Sequence, residues 1–302
     1  MVRDSGGRLS HVRAQLAVPW AYTGPVAAAI AARRAPLRPI LVLSMPRSGS
    51  SWVGATLGRA RNAAYLREPL THNWARLRQQ PAVIEVDPSS PPDSYRRNAD
   101  FAFSGIPRFP REVVVDRPQW RVWQTARRVV IKEVNPLAVR WLVTTYQPDL
   151  IYLVRHPAAT AESTARQGWV VDGYGGLFLP SRRASGTLRE ADVGDGLWTR
   201  LGAVQAHAAH EVAAVVDAAT SSGIRVRIQS YERLCADPVG EFHALFDFAG
   251  LRWEASAEAA VRVASSTAPT DMWRSVLSAS QIADVRRGYL MFDPPDHVTH
   301  QW

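Results

Sequence analysis

The residues Arg47-Ser48-Gly49-Ser50-Ser51 put a guanidinium, three hydroxyls and a glycine into five consecutive positions, the side chains that grip a small anion. They follow a short apolar run, Pro39-Ile40-Leu41-Val42-Leu43, bounded by Ser44 and too short for a helix, which predicts a buried strand. Ser50 to Leu57 predicts a helix with hydroxyls at its N-terminus. Strand, small-residue loop and helix hold phosphate in α/β proteins. Free N–H groups and the positive end of the helix dipole converge there on the anion.

The loop differs from the one that holds nucleoside triphosphates. Laid on G-x-x-x-x-G-K-[ST], Ser44 replaces the first Gly, Gly49 matches the second and Ser50 stands where the Lys belongs. The β/γ-phosphates of ATP would lose their main charge partner. A cation inside the loop, Arg47, instead suits a short anionic group such as a 5′-phosphosulfate, with no metal required. A kinase-type site is the competing enzymatic reading, and it lacks that Lys.

Downstream, Glu68 and His72 are spaced to share one face if a helix starts near Glu68 and runs towards Arg78. Either can take a proton from a hydroxyl; the competing reading is that Glu68 only pairs with Arg67 or caps the following helix. Lys132 ends an apolar run, Val129–Glu133, that predicts a second strand, and is the only lysine in the chain. It can neutralise a developing negative charge or snorkel from the strand end. Leu150–Val154 predicts a third strand, followed by Arg155-His156-Pro157 and a helix bearing Ser163.

In these residues the chain resembles the sulfotransferases that use 3′-phosphoadenosine 5′-phosphosulfate (PAPS). PRSGSSW matches their P-[RK]-S-G-[ST]-[ST]-W loop throughout. Tyr65-Leu66-Arg67-Glu68-Pro69-Leu70 is similar to the Y-L-x-E-P-L of the carbohydrate-type members. Arg155 and Ser163 reproduce an R-x₇-S spacing, Tyr231-Glu232-Arg233-Leu234 with Asp237-Pro238 resembles Y-E-D-L-x-x-D-P, and Trp273-Arg274 opens a W-R-x-x-L-[ST]-x-x-Q-I stretch.

The resemblance implies that Arg47, Ser48, Gly49, Ser50 and Ser51 bind the 5′-phosphosulfate, with Trp52 near the adenine. It implies Arg155 and Ser163 at the 3′-phosphate, Tyr231 near the adenine, and Arg274 either closing on the 3′-phosphate or lying on the surface. The implied chemistry is in-line transfer of a sulfuryl group to a hydroxyl of a carbohydrate or glycosylated acceptor, leaving adenosine 3′,5′-bisphosphate (PAP). A lipid or secondary-metabolite hydroxyl is the alternative. Many cytosolic relatives carry K-[TS]-H where this chain has Lys132-Glu133-Val134. That departure favours Glu68 as base, with His72 in reserve and Lys132 on the bridging oxygen.

These residues need a parallel α/β sheet flanked by helices, a P-loop-like sulfotransferase fold with ligands beyond the strand C-termini. The expected organisation is a helical arm over 1–38 and one domain over 39–302. Ala14–Ala32 is uncharged over about the length of a bilayer span. Interrupted by Pro and Gly, it reads as a peripheral helix, with membrane-surface contact as the lesser reading. Pro81–Pro118 reads as an insertion or long loop over the sheet, Gln167–Arg200 as a lid whose Trp169, Tyr174 and Trp198 either stack on an acceptor or simply pack, and Ala203–Ala219 as a packing helix. Ser266 and Thr267 are weaker nucleotide contacts.

Over 302 residues, the net charge of +9 and pI of 10.4 call for an anionic partner. The arginines are scattered and no nucleic-acid motif appears, so a polyanionic nucleotide is favoured over a non-enzymatic nucleic-acid or anion binder. A single Cys excludes a disulfide framework and, with the Arg-rich composition, suggests a bacterial cytoplasmic enzyme.

Overall fold

The computed structural model describes residues 29, 31–34, 36–72, 74–75, 81–121, 124, 126–167, 196–265, 270–295 and 302. Five strands form one parallel sheet: β1 (Ile40–Ser44), β2 (Ala63–Arg67), β3 (Arg128–Glu133), β4 (Asp149–Val154) and β5 (Val226–Ser230). Their order across the sheet is β2-β3-β1-β4-β5. The chain builds β2 and β3 on one side of β1 before crossing to β4 and β5 on the other. The C-terminal ends of β1 and β4 therefore flank the reversal point, where open α/β sheets bind ligands.

Alternation along the strands sorts the core into two layers. Ile40, Val42, Val130, Ile151 and Leu153 face α1 (Ser50–Leu57), α6 (Tyr231–Ala236), α7 (Pro238–Ala249) and α8 (Ala255–Ser265). Leu41, Leu43, Val129, Ile131 and Leu150 face α2 (Asp93–Phe103), α3 (Val139–Tyr146) and α5 (Leu197–Ser222). A third cluster joins α4 (Pro157–Arg166) and the start of α5 to α9 (Trp273–Val276) and α10 (Ala279–Leu290). Three helices have a legible start: Pro157 and Pro238 occupy first turns, Asp237 accepts from the Gly240 N–H, and Ser278 with Gln281 makes a capping box.

The sheet bears out the α/β expectation, with four corrections. The segment 81–118 is no loop over the sheet: it contains α2 and contributes Val86, Tyr95, Ala99, Ala102 and Val113 to the core. The edge strand β2 escapes sequence pattern, since Ala63-Ala64-Tyr65-Leu66-Arg67 lacks β-branched residues. Strand β5 begins later than Ile224. Trp198 lies in α5, half-buried among α4 and α10, rather than in a lid. Trp169, Tyr174, Ser266, Thr267 and most of the arm fall outside the described residues. The arm's last turn is packed down: Arg34 is buried, donates to the Gly105 C=O at 3.0 Å, and lies over Trp120. Among the described residues no helix is long and apolar enough to cross a membrane.

Candidate active site

Between β1 and α1 the chain turns through two left-handed residues, Arg47 (φ 68°) and Gly49 (φ 92°). Such turns gather successive N–H groups into an anion-binding concavity. Gly49 is the N-cap of α1, and no side chain caps that helix start. Glycine is required here twice over. Its φ is costly for any L-residue, and a Cβ would fall 2.4 Å from the Tyr231 ring. Ser48 and Ser50 are buried, Ser50 bonded at 2.7 Å to the Ser44 hydroxyl, while Ser51 is exposed.

The loop reaches across to the β4–α4 connection. Arg47 Nε donates to Ser163 Oγ at 3.1 Å, and Arg155 Nη1 donates to the Arg47 carbonyl at 2.8 Å. Arg155 lies 4.6 Å over the Tyr231 ring, and its Nε is buried with no hydrogen-bond partner among the described residues. Hydrogen bonds thus join the two elements that the sequence predicted to bind anions. Beside them lies a small cleft, half open to solvent, lined by Met45, Ser48, Val154, Arg155, Gln205 and Tyr289 among others. Burial, together with the charges of Arg166 and Arg155, holds the Arg47 guanidinium below its ordinary value, partly offset by Glu162. Crowded guanidiniums of this kind favour a polyanion between them.

Glu68 and Lys132 meet at the tips of β2 and β3, where Arg67 is paired with Lys132. Glu68 sits at φ 53° in a turn before the first helical residues, Thr71 and His72, so it does not open the predicted helix. It still holds His72 through the His72 N–H, which donates to the Glu68 carbonyl at 2.8 Å. Lys132 is 1% exposed and donates to Glu68 Oε1. Burial pushes the Glu68 carboxyl up, but Lys132, Arg67 and His72 outweigh it and hold the group below the ordinary carboxylate range. Burial lowers the Lys132 ammonium, an effect that Glu68 partly offsets. The first turns of α1 pass over Lys132: a Cβ at Gly54 would lie 3.0 Å from Lys132 Cβ.

The remaining predicted residues fall into supporting places. Tyr231 is buried between Gly49 and Arg155, and its ring is 6.3 Å from Trp52 in an edge-on arrangement. Trp52 is half-buried against Phe242 at 4.9 Å. Arg274 is exposed, 4.3 Å over Trp273, whose ring stacks on His156. Two buried or part-buried carboxylates carry connections that the motifs did not reveal. Glu232 accepts from the His156 N–H at 2.8 Å, and Glu133 accepts from the turn after Glu68. A charged residue ending an otherwise apolar strand was the available signal for Glu133.

This loop, fold and strand order define a sulfotransferase-type α/β domain, and the chain belongs to the sulfotransferase family, whose model matches residues 39–255. Human carbohydrate sulfotransferase 6 is 26% identical over 256 residues. That match takes in 70% of this chain and 64% of the relative, so the chain spans less than two-thirds of the relative's length. Among solved structures, the sulfotransferase domain from the Synechococcus PCC 7002 olefin synthase is 17% identical with a TM-score of 0.48, covering 85% of this chain and 95% of that one. Mouse sulfotransferase SULT7A1 complexed with PAP is 13% identical with a TM-score of 0.45, covering 92% of each chain.

Proposed function

We propose that this protein transfers the sulfuryl group of PAPS to a hydroxyl of a carbohydrate or glycosylated acceptor. One observation carries the reading: Arg47 bonds to Ser163 while Arg155 bonds to the Arg47 carbonyl, so a single nucleotide can engage both anion-binding elements. The unpartnered, buried Arg155 Nε is a donor in need of an acceptor, and a phosphate supplies one. The carbohydrate acceptor is supported by the Y-L-x-E-P-L match and by the name of the human relative.

In this reading the loop from Arg47 to Ser51 holds the 5′-phosphosulfate, and Arg155 with Ser163 holds the 3′-phosphate. Trp52 and Tyr231 flank the base. PAPS supplies an activated sulfuryl group on a phosphate leaving group. Glu68 removes the acceptor proton, while Arg47 and Lys132 stabilise charge gathering on the phosphate. The ion pair links these two tasks. A carboxylate bonded to an ammonium is a weak base. When Lys132 turns to a developing phosphate charge, Glu68 loses its counter-ion, burial dominates, and its proton affinity rises.

The test is calorimetric titration with PAP and with ATP, followed by transfer of labelled sulfate from PAPS to a panel of oligosaccharides, lipids and phenols. Tight PAP binding, weak ATP binding and labelled oligosaccharide are the expected results. ATP binding more tightly than PAP overturns the donor, and label on lipid or phenol alone overturns the acceptor.

A further inference from the structure

Glu133 ends β3 beside Lys132 but points to the opposite face of the sheet, in line with Val129 and Ile131. It is 1% exposed. Its Oε1 accepts from the N–H groups of Leu70 at 2.6 Å and Thr71 at 3.3 Å, and its Oε2 accepts from the Thr71 hydroxyl at 2.5 Å. All three donors belong to the turn that carries Glu68 and His72.

That turn needs holding. A non-glycine residue at φ 53° persists only where its surroundings over-determine it. The Glu68 N–H is fixed by the Lys132 carbonyl at 2.7 Å, and Glu133 secures the two residues that follow Pro69. The clamp is itself anchored. Thr71 Oγ1 lies 3.4 Å from the Tyr95 hydroxyl, which accepts from Asn135 Nδ2 at 3.2 Å. Asn135 in turn bonds both the N–H and the C=O of Ile84. A buried chain of polar groups thus runs from α2 and the segment before it to the base-bearing turn. Inside a protein such a network fixes geometry strongly when every member is satisfied.

We infer that Glu133 is a positioning residue for the sulfuryl transfer proposed above, a buried clamp that sets the Glu68 carboxylate against Lys132. The inference rests on that reaction. Burial pushes the Glu133 carboxyl up to about 7, with Thr71 and Leu70 pulling the other way and Glu68 and Lys132 as the charges facing it. An amide in its place keeps an acceptor for Leu70 and Thr71. Thr71 can then accept from the amide and turn its own hydrogen to Tyr95.

The experiment compares Glu133→Gln, Glu133→Ala and Thr71→Val for kcat with PAPS and acceptor and for PAP affinity by calorimetry, each also in a Glu68→Gln background. Glu133→Gln should keep kcat within about threefold, since the clamp survives, while Glu133→Ala should lose on the order of 10²-fold in kcat, the size expected when a catalytic group is misplaced by about 1 Å. PAP affinity should stay at the wild-type value in both. Thr71→Val, which removes the hydroxyl's bonds to Glu133 and Tyr95 but no charge, should fall between them and keeps the test alive if Glu133→Ala does not fold. In the Glu68→Gln background neither Glu133→Ala nor Thr71→Val should lower kcat further, because they act through Glu68. Wild-type kcat in a folded Glu133→Ala or in Thr71→Val overturns the positioning role alone, as do equal losses with and without Glu68. A wild-type protein that binds PAP yet sulfates no hydroxyl overturns the reaction itself, and the positioning role with it.

Discussion

The two ends of the candidate site are built by different means. At the nucleotide end, between β1 and β4, Arg47, Ser163 and Arg155 are joined by ordinary hydrogen bonds around a loop whose shape comes from backbone turns. At the base end, between β2 and β3, a buried lysine faces a part-buried glutamate while a second glutamate is buried behind them. The first design needs convergent donors and can remain half open to water. The second needs low dielectric, because proton affinity there is set by burial against charge. In the proposed reaction anion grip and proton transfer make opposite demands on solvent, and the sheet sets them on two adjacent strand pairs.

The comparison predicts separable losses, the largest at the base end. Glu68→Gln keeps an acceptor for Lys132 but cannot take a proton, so kcat should fall on the order of 10³–10⁴-fold, near the upper range for a general base. PAP affinity should be unchanged by calorimetry. A loss of PAP binding equal to the loss of turnover would merge the two ends into one function.

Arg155→Ala should act in the other direction. Two charge-assisted bonds at about 1.5–3 kcal/mol each correspond to a loss on the order of 10²–10⁴-fold in PAP affinity, with the lower part expected for a half-exposed site. Turnover at saturating PAPS should suffer far less than binding. Equal affinity for PAP and for 5′-AMP in the variant, against preference for PAP in the wild type, would assign the 3′-phosphate to this residue. Unchanged discrimination would remove it.

The pH dependence of stability sharpens the contrast within the base end itself. Glu133 titrates in the folded protein near 7 against an ordinary 4.5, so the folded state holds a proton that the unfolded chain gives up. Its contribution to stability is full below about pH 4.5 and is lost as pH rises to 7, by about 3 kcal/mol at 1.36 kcal/mol per pH unit. Glu68 has the opposite sign: held below the ordinary range, it contributes stability above that range that is lost as pH falls through its folded value. Urea midpoints of wild type and Glu133→Gln, measured from pH 5 to 8, should diverge as the pH rises towards 7, the wild type losing more. Parallel curves would mean that Glu133 ionises freely and that the pocket is wetter than its burial implies.

The same contrast explains what could be read from the chain. The nucleotide loop was legible because its geometry is local: an apolar run, a glycine at a left-handed turn and a helix start lie within one short stretch. Lys132 was legible as a charge at the end of an apolar run. The clamp at Glu133 was not, because its partners, Leu70 and Thr71, become neighbours only through parallel pairing of β2 with β3. That pairing was hidden, since β2 carries two alanines where a strand normally shows branched residues. The core role of 81–118 was lost for a related reason. Its apolar residues lie among Pro, Ser, Asp and Arg, and the helical period of Tyr95, Ala99, Ala102 and Phe103 is short, yet Val86, Tyr95 and Val113 join the cluster against the sheet.

Arg274 offers the smallest expected effect and the sharpest boundary for the nucleotide end. The Trp-Arg motif left it either on the 3′-phosphate or on the surface; its guanidinium lies exposed over Trp273, and Trp273 stacks at 4.3 Å on His156, the neighbour of Arg155. In this position Arg274 supports the aromatic pair beneath it. An exposed cation–π contact contributes about 0.5–1 kcal/mol, so Arg274→Ala should weaken PAP binding by no more than about fivefold. Removing the ring, by Trp273→Ala, should cost more, because a buried side chain wedged against α4 is lost with it. If Arg274→Ala instead matches Arg155→Ala in affinity and in lost preference for PAP over 5′-AMP, the guanidinium swings inward when nucleotide binds. The nucleotide end would then include α9, and half of its grip would come from a residue that faces solvent until the ligand arrives.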